Sequence, residues 1–156
     1  MPLDRYDRAI LHALQLEGRI SNHALAERVN LSESACLRRV RALEQAGLIE
    51  GYAAILNQQK AGCPLNVFVS ITLDRQDEVD LRKFEEAVRG IPEVMECYLM
   101  SGDFDYLLRV AVADTADFER VHSKHLTRLP AVARVHSSFA LRTVQKSREL
   151  PLRAGG

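Results

Sequence analysis

The second half of the chain repeats itself, and the repeat leaves few folds open. Phe84-Glu85-Glu86 leads to Ile91-Pro92-Glu93-Val94 and a strand pattern; Phe118-Glu119-Arg120 leads to Leu129-Pro130-Ala131-Val132 and another. A further strand pattern precedes each helix: Val67, Val69, Ile71 and Leu73 alternate within residues 66–73, and Leu108, Val110 and Val112 within 106–113. The second helix, read over residues 117–129, is longer by four residues, close to one turn, which preserves the facing of its stripe. Strand-helix-strand twice over is the split βαβ, ferredoxin-like arrangement: an antiparallel sheet with both helices on one face. The other face is left open. With Leu108, Val110 and Val112 toward the helices, Asp105, Leu107 and Arg109 point the opposite way, where exposed apolar groups invite a second subunit.

Residues 21–47 read as a helix-turn-helix. Ser21 suits the N-cap of a short helix with Leu25 and Val29 on one stripe, ending near Asn30. Ser32 can cap a second helix, Glu33 suits the positive end of its dipole, and Gly47 supplies the left-handed residue past its end. At 100° per residue, Cys36, Val40 and Leu43 share one side of this helix, and Ser34, Arg38, Arg41 and Gln45 lie in a narrow arc opposite. One side packs and the other is free. Short donors near the start and two guanidiniums one turn apart suit major-groove entry, so Ser32, Ser34, Arg38, Arg39 and Arg41 are the candidate DNA contacts. Arg39 falls at the flank, where a phosphate contact and an intramolecular ion pair are both open. A first helix, Leu3 to Leu16, capped by Asp4 with Asp7 in its first turn, completes a three-helix unit. His12 and His23 sit on polar sides and are assigned no role.

The 21 basic residues balance 21 acidic ones, and up to residue 62 there are eight Lys or Arg against seven Asp or Glu. No half of the chain is strongly polarised, so DNA affinity has to come from local placement and from several copies acting together. The longest uncharged run, Ala61 to Leu73, is too short to span a bilayer, and no secretory signal precedes the first helix, so a cytoplasmic protein without membrane contact is expected. Three scattered cysteines, Cys36, Cys63 and Cys97, argue against a disulfide framework or a zinc ribbon. No phosphate loop, nucleophile elbow or paired nucleophile and base is present, so no catalytic residue, metal or cofactor is assigned. His122 and His125 share a side with Phe118, Val121 and Leu129, which reads as packing rather than metal ligation.

The expected organisation is a DNA-binding domain at 1–50, a linking strand and hinge at 51–64, a ferredoxin-like domain at 65–146 and a tail at 147–156. Leu48 to Leu56 has apolar groups in both alternating sets, so a strand here would want cover on both faces and pairs with another strand, conceivably that of a second subunit. The tail is polar and frayed, with Leu150 and Leu152 available to dock on a neighbour. The turn Ser101-Gly102-Asp103-Phe104-Asp105-Tyr106 has two readings: a plain hairpin in which Gly102 takes a positive φ, or a small-molecule site whose two carboxylates and backbone N–H groups hold a free amino acid, with Leu99 as apolar cover.

The whole pattern resembles the leucine-responsive regulatory protein and AsnC family, the feast/famine transcription regulators. The resemblance rests on Leu3-Asp4-Arg5-Tyr6-Asp7, Gly18-Arg19-Ile20-Ser21, Leu31-Ser32, Cys36-Leu37-Arg38-Arg39-Val40-Arg41-Ala42-Leu43-Glu44, Gly47-Leu48-Ile49 and Gly51-Tyr52, then the hairpin Leu99 to Leu108 and Leu129-Pro130. It implies an α+β chain, a helix-turn-helix domain joined to a ferredoxin-like βαββαβ domain. It also implies a regulator that binds double-stranded DNA, forms dimers that assemble further into octamers, and holds an amino-acid effector between dimers. On that basis Leu99, Gly102, Asp103 and Asp105 form the effector pocket, with Ser137 and Ser138 contributing, and Asp105 is the key residue. An architectural DNA-wrapping protein without a ligand is the alternative. Many family members read Ser-Pro-x-Pro-Cys where this chain has Ser32-Glu33-Ser34-Ala35-Cys36, so the operator sequence does not carry over.

Overall fold

The structure is a computed structural model and describes residues 2–152. The chain forms two compact units, one running to Ile55 and resuming at Val144, the other Leu56–Thr143.

The first unit holds α1 (Arg5–Leu16), α2 (Asn22–Arg28) and α3 (Glu33–Gln45). α1 begins at Arg5 rather than Leu3 because Asp4 takes the N-cap: its carboxylate accepts the Tyr6 and Asp7 N–H groups, and Asp7 accepts the Asp4 N–H in return. Asn30, at φ 57°, ends α2, with Asn30 N–H bonded to the Glu27 carbonyl and Leu31 N–H to that of Ala26. Gly47, at φ 70°, ends α3 in the same 5→2, 6→1 pattern through Glu44 and Leu43. The apolar stripes meet in a core of Ile10, Leu11, Ala13, Leu25, Ala26, Val29, Cys36 and Leu43. Burial pushes the Cys36 thiol up, which leaves it unreactive.

The linking strand expected over residues 48–56 needs another strand to pair with, conceivably that of a second subunit. Residues 48–56 contain no strand, and no described strand pairs with them. Leu48, Tyr52, Ile55 and Leu56 stand exposed. A strand needs a neighbouring edge for its backbone groups, and this single chain supplies none there. The tail does not fray through its described part: the Leu150 N–H donates to Gln15 Oε1 at 2.6 Å, and Leu152 packs against the helical core. Residues 153–156 lie outside the described residues.

The second unit is a four-stranded antiparallel sheet of β1 (Leu65–Leu73), β2 (Val94–Leu99), β3 (Tyr106–Val112) and β4 (Val132–Phe139), in the order β2-β3-β1-β4. α4 (Glu78–Arg89) and α5 (Thr115–Lys124) complete the ferredoxin-like fold. The repeat is visible in the core, where Phe84 and Phe118, and likewise Ile91 and Leu129, are buried against Val67, Val69, Ile71, Leu108 and Val110. Helix 117–129 is not continuous as expected: α5 starts earlier, capped by Asp114, and stops at Lys124, after which Leu126–Arg128 form a separate 3₁₀ turn. His125, at φ −123° and ψ −59°, breaks the helix, and the turn buries Leu126. His122 lies tilted against the Phe118 ring, 6.0 Å between centroids. No group of three potential metal ligands occurs among the described residues.

Candidate functional site

α3 presents the face expected of a reading helix. Ser34, Arg38, Arg41 and Gln45 are exposed while Cys36 and Leu43 are fully buried. Among the described residues neither Arg38 nor Arg41 has an ion-pair partner, so both guanidiniums are available to phosphates or base edges. Ser32 has a structural duty, since its hydroxyl accepts the Ala35 N–H at 3.3 Å, and it lies 3.4 Å from the Ser34 hydroxyl.

Arg39 takes the second of its two open roles. Its Nη1 meets Asp4 Oδ2 and Asp7 Oδ1, each at 2.8 Å, and the guanidinium lies 5.3 Å from the centroid of the Tyr6 ring. Asp7 is 9% exposed, so this ion pair ties α3 to the capping box of α1 and neutralises a nearly buried carboxylate. Hydrogen bonds to Asp7 and Asp4 raise the Arg39 pKa, and Asp4 is lowered, chiefly by the Asp7 N–H.

His23 also acquires a role. Its Nδ1 lies 2.8 Å from Glu33 Oε1, and the neighbouring Asn22 Nδ2 donates to the Glu33 carbonyl at 3.0 Å. The start of α2 is thereby clamped to the start of α3. Glu33, the residue that departs from the family pattern, is drawn onto His23, which offsets its repulsion of a phosphate. The Glu33 hydrogen bond, then the charge of Glu27, raise the His23 pKa from 6.5. The charged imidazole therefore contributes below pH 6.5, and this contribution is lost as pH rises through the raised value. Glu33→Gln is expected to return the His23 titration, followed by NMR of the imidazole, toward 6.5; a titration unmoved by that change would rule the clamp out.

In the second unit the hairpin closes through the Met100 N–H on the Asp105 carbonyl at 2.8 Å, and Gly102 takes φ 123° as its turn requires. Asp105 is half-buried. Its N–H donates to the Ile71 carbonyl at 2.9 Å and its Oδ2 accepts the Leu73 N–H at 2.7 Å, so the carboxylate finishes β1 on the side where pairing with β3 stops. Asp103 lies on the rim of a concavity of about 340 Å³ on the uncovered sheet face, with Ser70, Thr72, Arg134 and His136. Leu99 lies on the helix side of the sheet, in a groove of about 420 Å³ between α4 and β2. Ser137 pairs opposite Val69 and faces the helices, whereas Ser138 pairs opposite Phe68 and faces away. Of the six expected effector contacts, the groove between α4 and β2 includes Leu99 and the concavity on the uncovered face includes Asp103.

The uncovered face carries Phe68 and Tyr98, both exposed, and Leu107. Its centre is polar: Arg109, with a side chain 17% exposed, reaches Glu96 at 3.1 Å and Asn66 Oδ1 at 3.1 Å. Alternation placed Arg109 on this face but gave no sign of the network, because Glu96 and Asn66 come from different strands.

A helix-turn-helix with an unpaired cationic face, joined to a ferredoxin-like domain with surface concavities, defines a ligand-responsive, DNA-binding transcription regulator. Residues 3–50 match a winged helix-turn-helix DNA-binding family, and residues 66–150 match the Lrp/AsnC ligand binding domain. The chain belongs to the Lrp/AsnC family of regulators. It is 51% identical over 120 residues to an HTH-type transcriptional regulator of Sinorhizobium fredii, covering 77% of this chain and 94% of that one. It is 44% identical to the leucine-responsive regulatory protein of Escherichia coli K12, covering 97% and 92%. Its fold is similar to that of a Neisseria meningitidis transcriptional regulator solved with L-methionine, at TM-score 0.91 and 36% identity, with 96% of both chains covered. An AsnC family regulator of Agrobacterium tumefaciens is similar at TM-score 0.91 and 38% identity, covering 96% and 97%.

Proposed function

We propose that the ligand is a free amino acid and that it acts from the hairpin of the ferredoxin-like domain. The observation carrying this reading is that two carboxylates, Asp103 and Asp105, follow Gly102 in the hairpin turn, with Asp103 on the rim of an open concavity where a carboxylate can meet an ammonium group. Because the candidate contacts Leu99, Gly102, Asp103, Asp105, Ser137 and Ser138 are dispersed over one copy, the complete pocket is formed with a second copy. The methionine bound to the Neisseria relative supports the ligand class.

The chain works as a homodimer through its uncovered sheet face, where Phe68, Tyr98 and Leu107 need cover, and residues 48–56 find their missing strand partner in the other subunit. Dimers associate into an octamer, and the ligand shifts that association and with it the grip on DNA. Ser32, Ser34, Arg38 and Arg41 contact DNA, while Arg39 positions α3. The regulator is cytoplasmic, without membrane contact, catalysis or a cofactor. An architectural protein without a ligand is not favoured, because most of the second half matches a ligand binding domain.

A thermal-shift screen against the twenty amino acids tests this reading. A ligand at one hundred times its Kd stabilises the folded assembly by about 2.7 kcal/mol. At least one saturable hit that also changes DNA affinity is expected, and a screen without one would return the architectural alternative.

A further inference from the structure

The chain passes between its two units twice, at residues 55–56 and again at 143–144. The second passage ends in a defined contact. Leu150 donates its N–H to Gln15 Oε1 at 2.6 Å, and its carbonyl accepts from Gln15 Nε2 at 3.4 Å, so one side-chain amide pairs with the backbone as a strand neighbour would. Next to it, His12 Nδ1 stands 2.8 Å from Glu149 Oε1. Leu152 packs on the helical core, at a concavity of about 360 Å³ whose walls include Leu11, Leu14 and Tyr52. The free side of α3 does not use Gln15, His12 or Glu149.

At its other end this segment leaves the sheet. The Ala140 N–H donates to the Asn66 carbonyl at 3.0 Å, extending the β1–β4 pairing by one bond beyond Phe139. Residues 141–148 have no regular structure, and Leu141 and Val144 are 98% and 87% exposed. A connector this short reaches about 27 Å when fully extended and keeps its anchor at a millimolar effective concentration. A modest contact is therefore populated, yet a displacement at the end of β4 can draw it off.

We propose that residues 149–152 are a strap seated on α1, a second covalent coupling through which the ligand state of the ferredoxin-like domain reaches the DNA-binding unit. The coupling half of this proposal rests on the ligand reading given above; the docking half does not. Gln15 is the anchor, and the occupant of the α1 groove is this chain's own segment.

The test uses the full chain and two variants, Gln15→Ala, which removes both amide bonds, and Leu152→Asp, which opposes seating without touching Gln15. Amide hydrogen exchange at Leu150 reads docking, and DNA affinity with and without L-methionine or L-leucine reads coupling. In the unmodified chain Leu150 is expected to exchange at least about tenfold more slowly than an unstructured peptide, and in each variant this protection is lost. DNA affinity without amino acid and the affinity for the amino acid hold in both variants, while the effect of the amino acid on DNA binding falls toward none. Free exchange of Leu150 in the unmodified chain overturns the docking. Protection that disappears in the variants while the amino-acid response stays at full size overturns the coupling. An unmodified chain that responds to neither amino acid but protects Leu150 supports the docking and counts against the ligand reading.

Discussion

The double variant Arg38→Ala, Arg41→Ala is expected to lose about 2–6 kcal/mol of DNA affinity, taking about 1–3 kcal/mol per well-placed arginine contact. The helix itself should survive. Both side chains are exposed and unpaired among the described residues, and such surface substitutions usually stay within about 0.5 kcal/mol of neutral for stability. The salt dependence separates the two kinds of contact: each lost phosphate contact flattens the slope of log affinity against log salt by about 0.9, whereas a lost base contact relaxes sequence preference. Titration of a labelled operator at several salt concentrations, beside a thermal melt, gives both quantities. Unchanged affinity would move the DNA surface away from α3. Arg39→Ala provides the contrast, because it strips the partner from Asp7, which is 9% exposed, and so should lower the melting point of the whole first unit.

At Asp105 two substitutions divide one side chain's duties. Asp105→Ala removes the acceptor of the Leu73 N–H and leaves a partly buried donor unpaired, a cost of about 1–3 kcal/mol, along with the charge proposed to meet the amino-acid ammonium. Asp105→Asn keeps an oxygen in the same place and removes only the charge. The expected result is a melting point near that of the unmodified protein for the asparagine variant, a clear decrease for the alanine variant, and no amino-acid response from either. A full response in Asp105→Asn would make Asp105 purely a terminator of β1 and shift the proposed ligand contacts to Asp103 and its concavity.

The local features were legible wherever a residue's role depends on neighbours within one turn or one strand. Asp4, Ser21 and Ser32 as caps, Gly47 and Gly102 at positive φ, the buried and free sides of α3, and the doubled strand-helix-strand pattern all follow from short-range stereochemistry and periodicity. Features that need two distant segments were not. Periodicity leaves Arg39 between two roles because its partners, Asp4 and Asp7, lie a full helix-turn-helix away in sequence. The contacts of His23 and Gln15 leave no mark on the local pattern, since Glu33 is on another helix and Leu150 is at the far end of the chain. The segment 48–56 has the pattern of a strand, but a strand also requires an edge to bond, and a single copy supplies none there.

By itself the sequence determined that this protein is a helix-turn-helix unit followed by a ferredoxin-like unit, because hydrophobic period, caps and turn residues act locally and agree with one another along the whole chain. Tertiary structure alone decided which charged residues remain free to meet DNA and which are consumed in holding helices together. It also brought residues 149–152 back to α1. Those outcomes depend on hydrogen bonds and ion pairs a few ångströms long between groups far apart in the chain, and one-dimensional order carries no such distance.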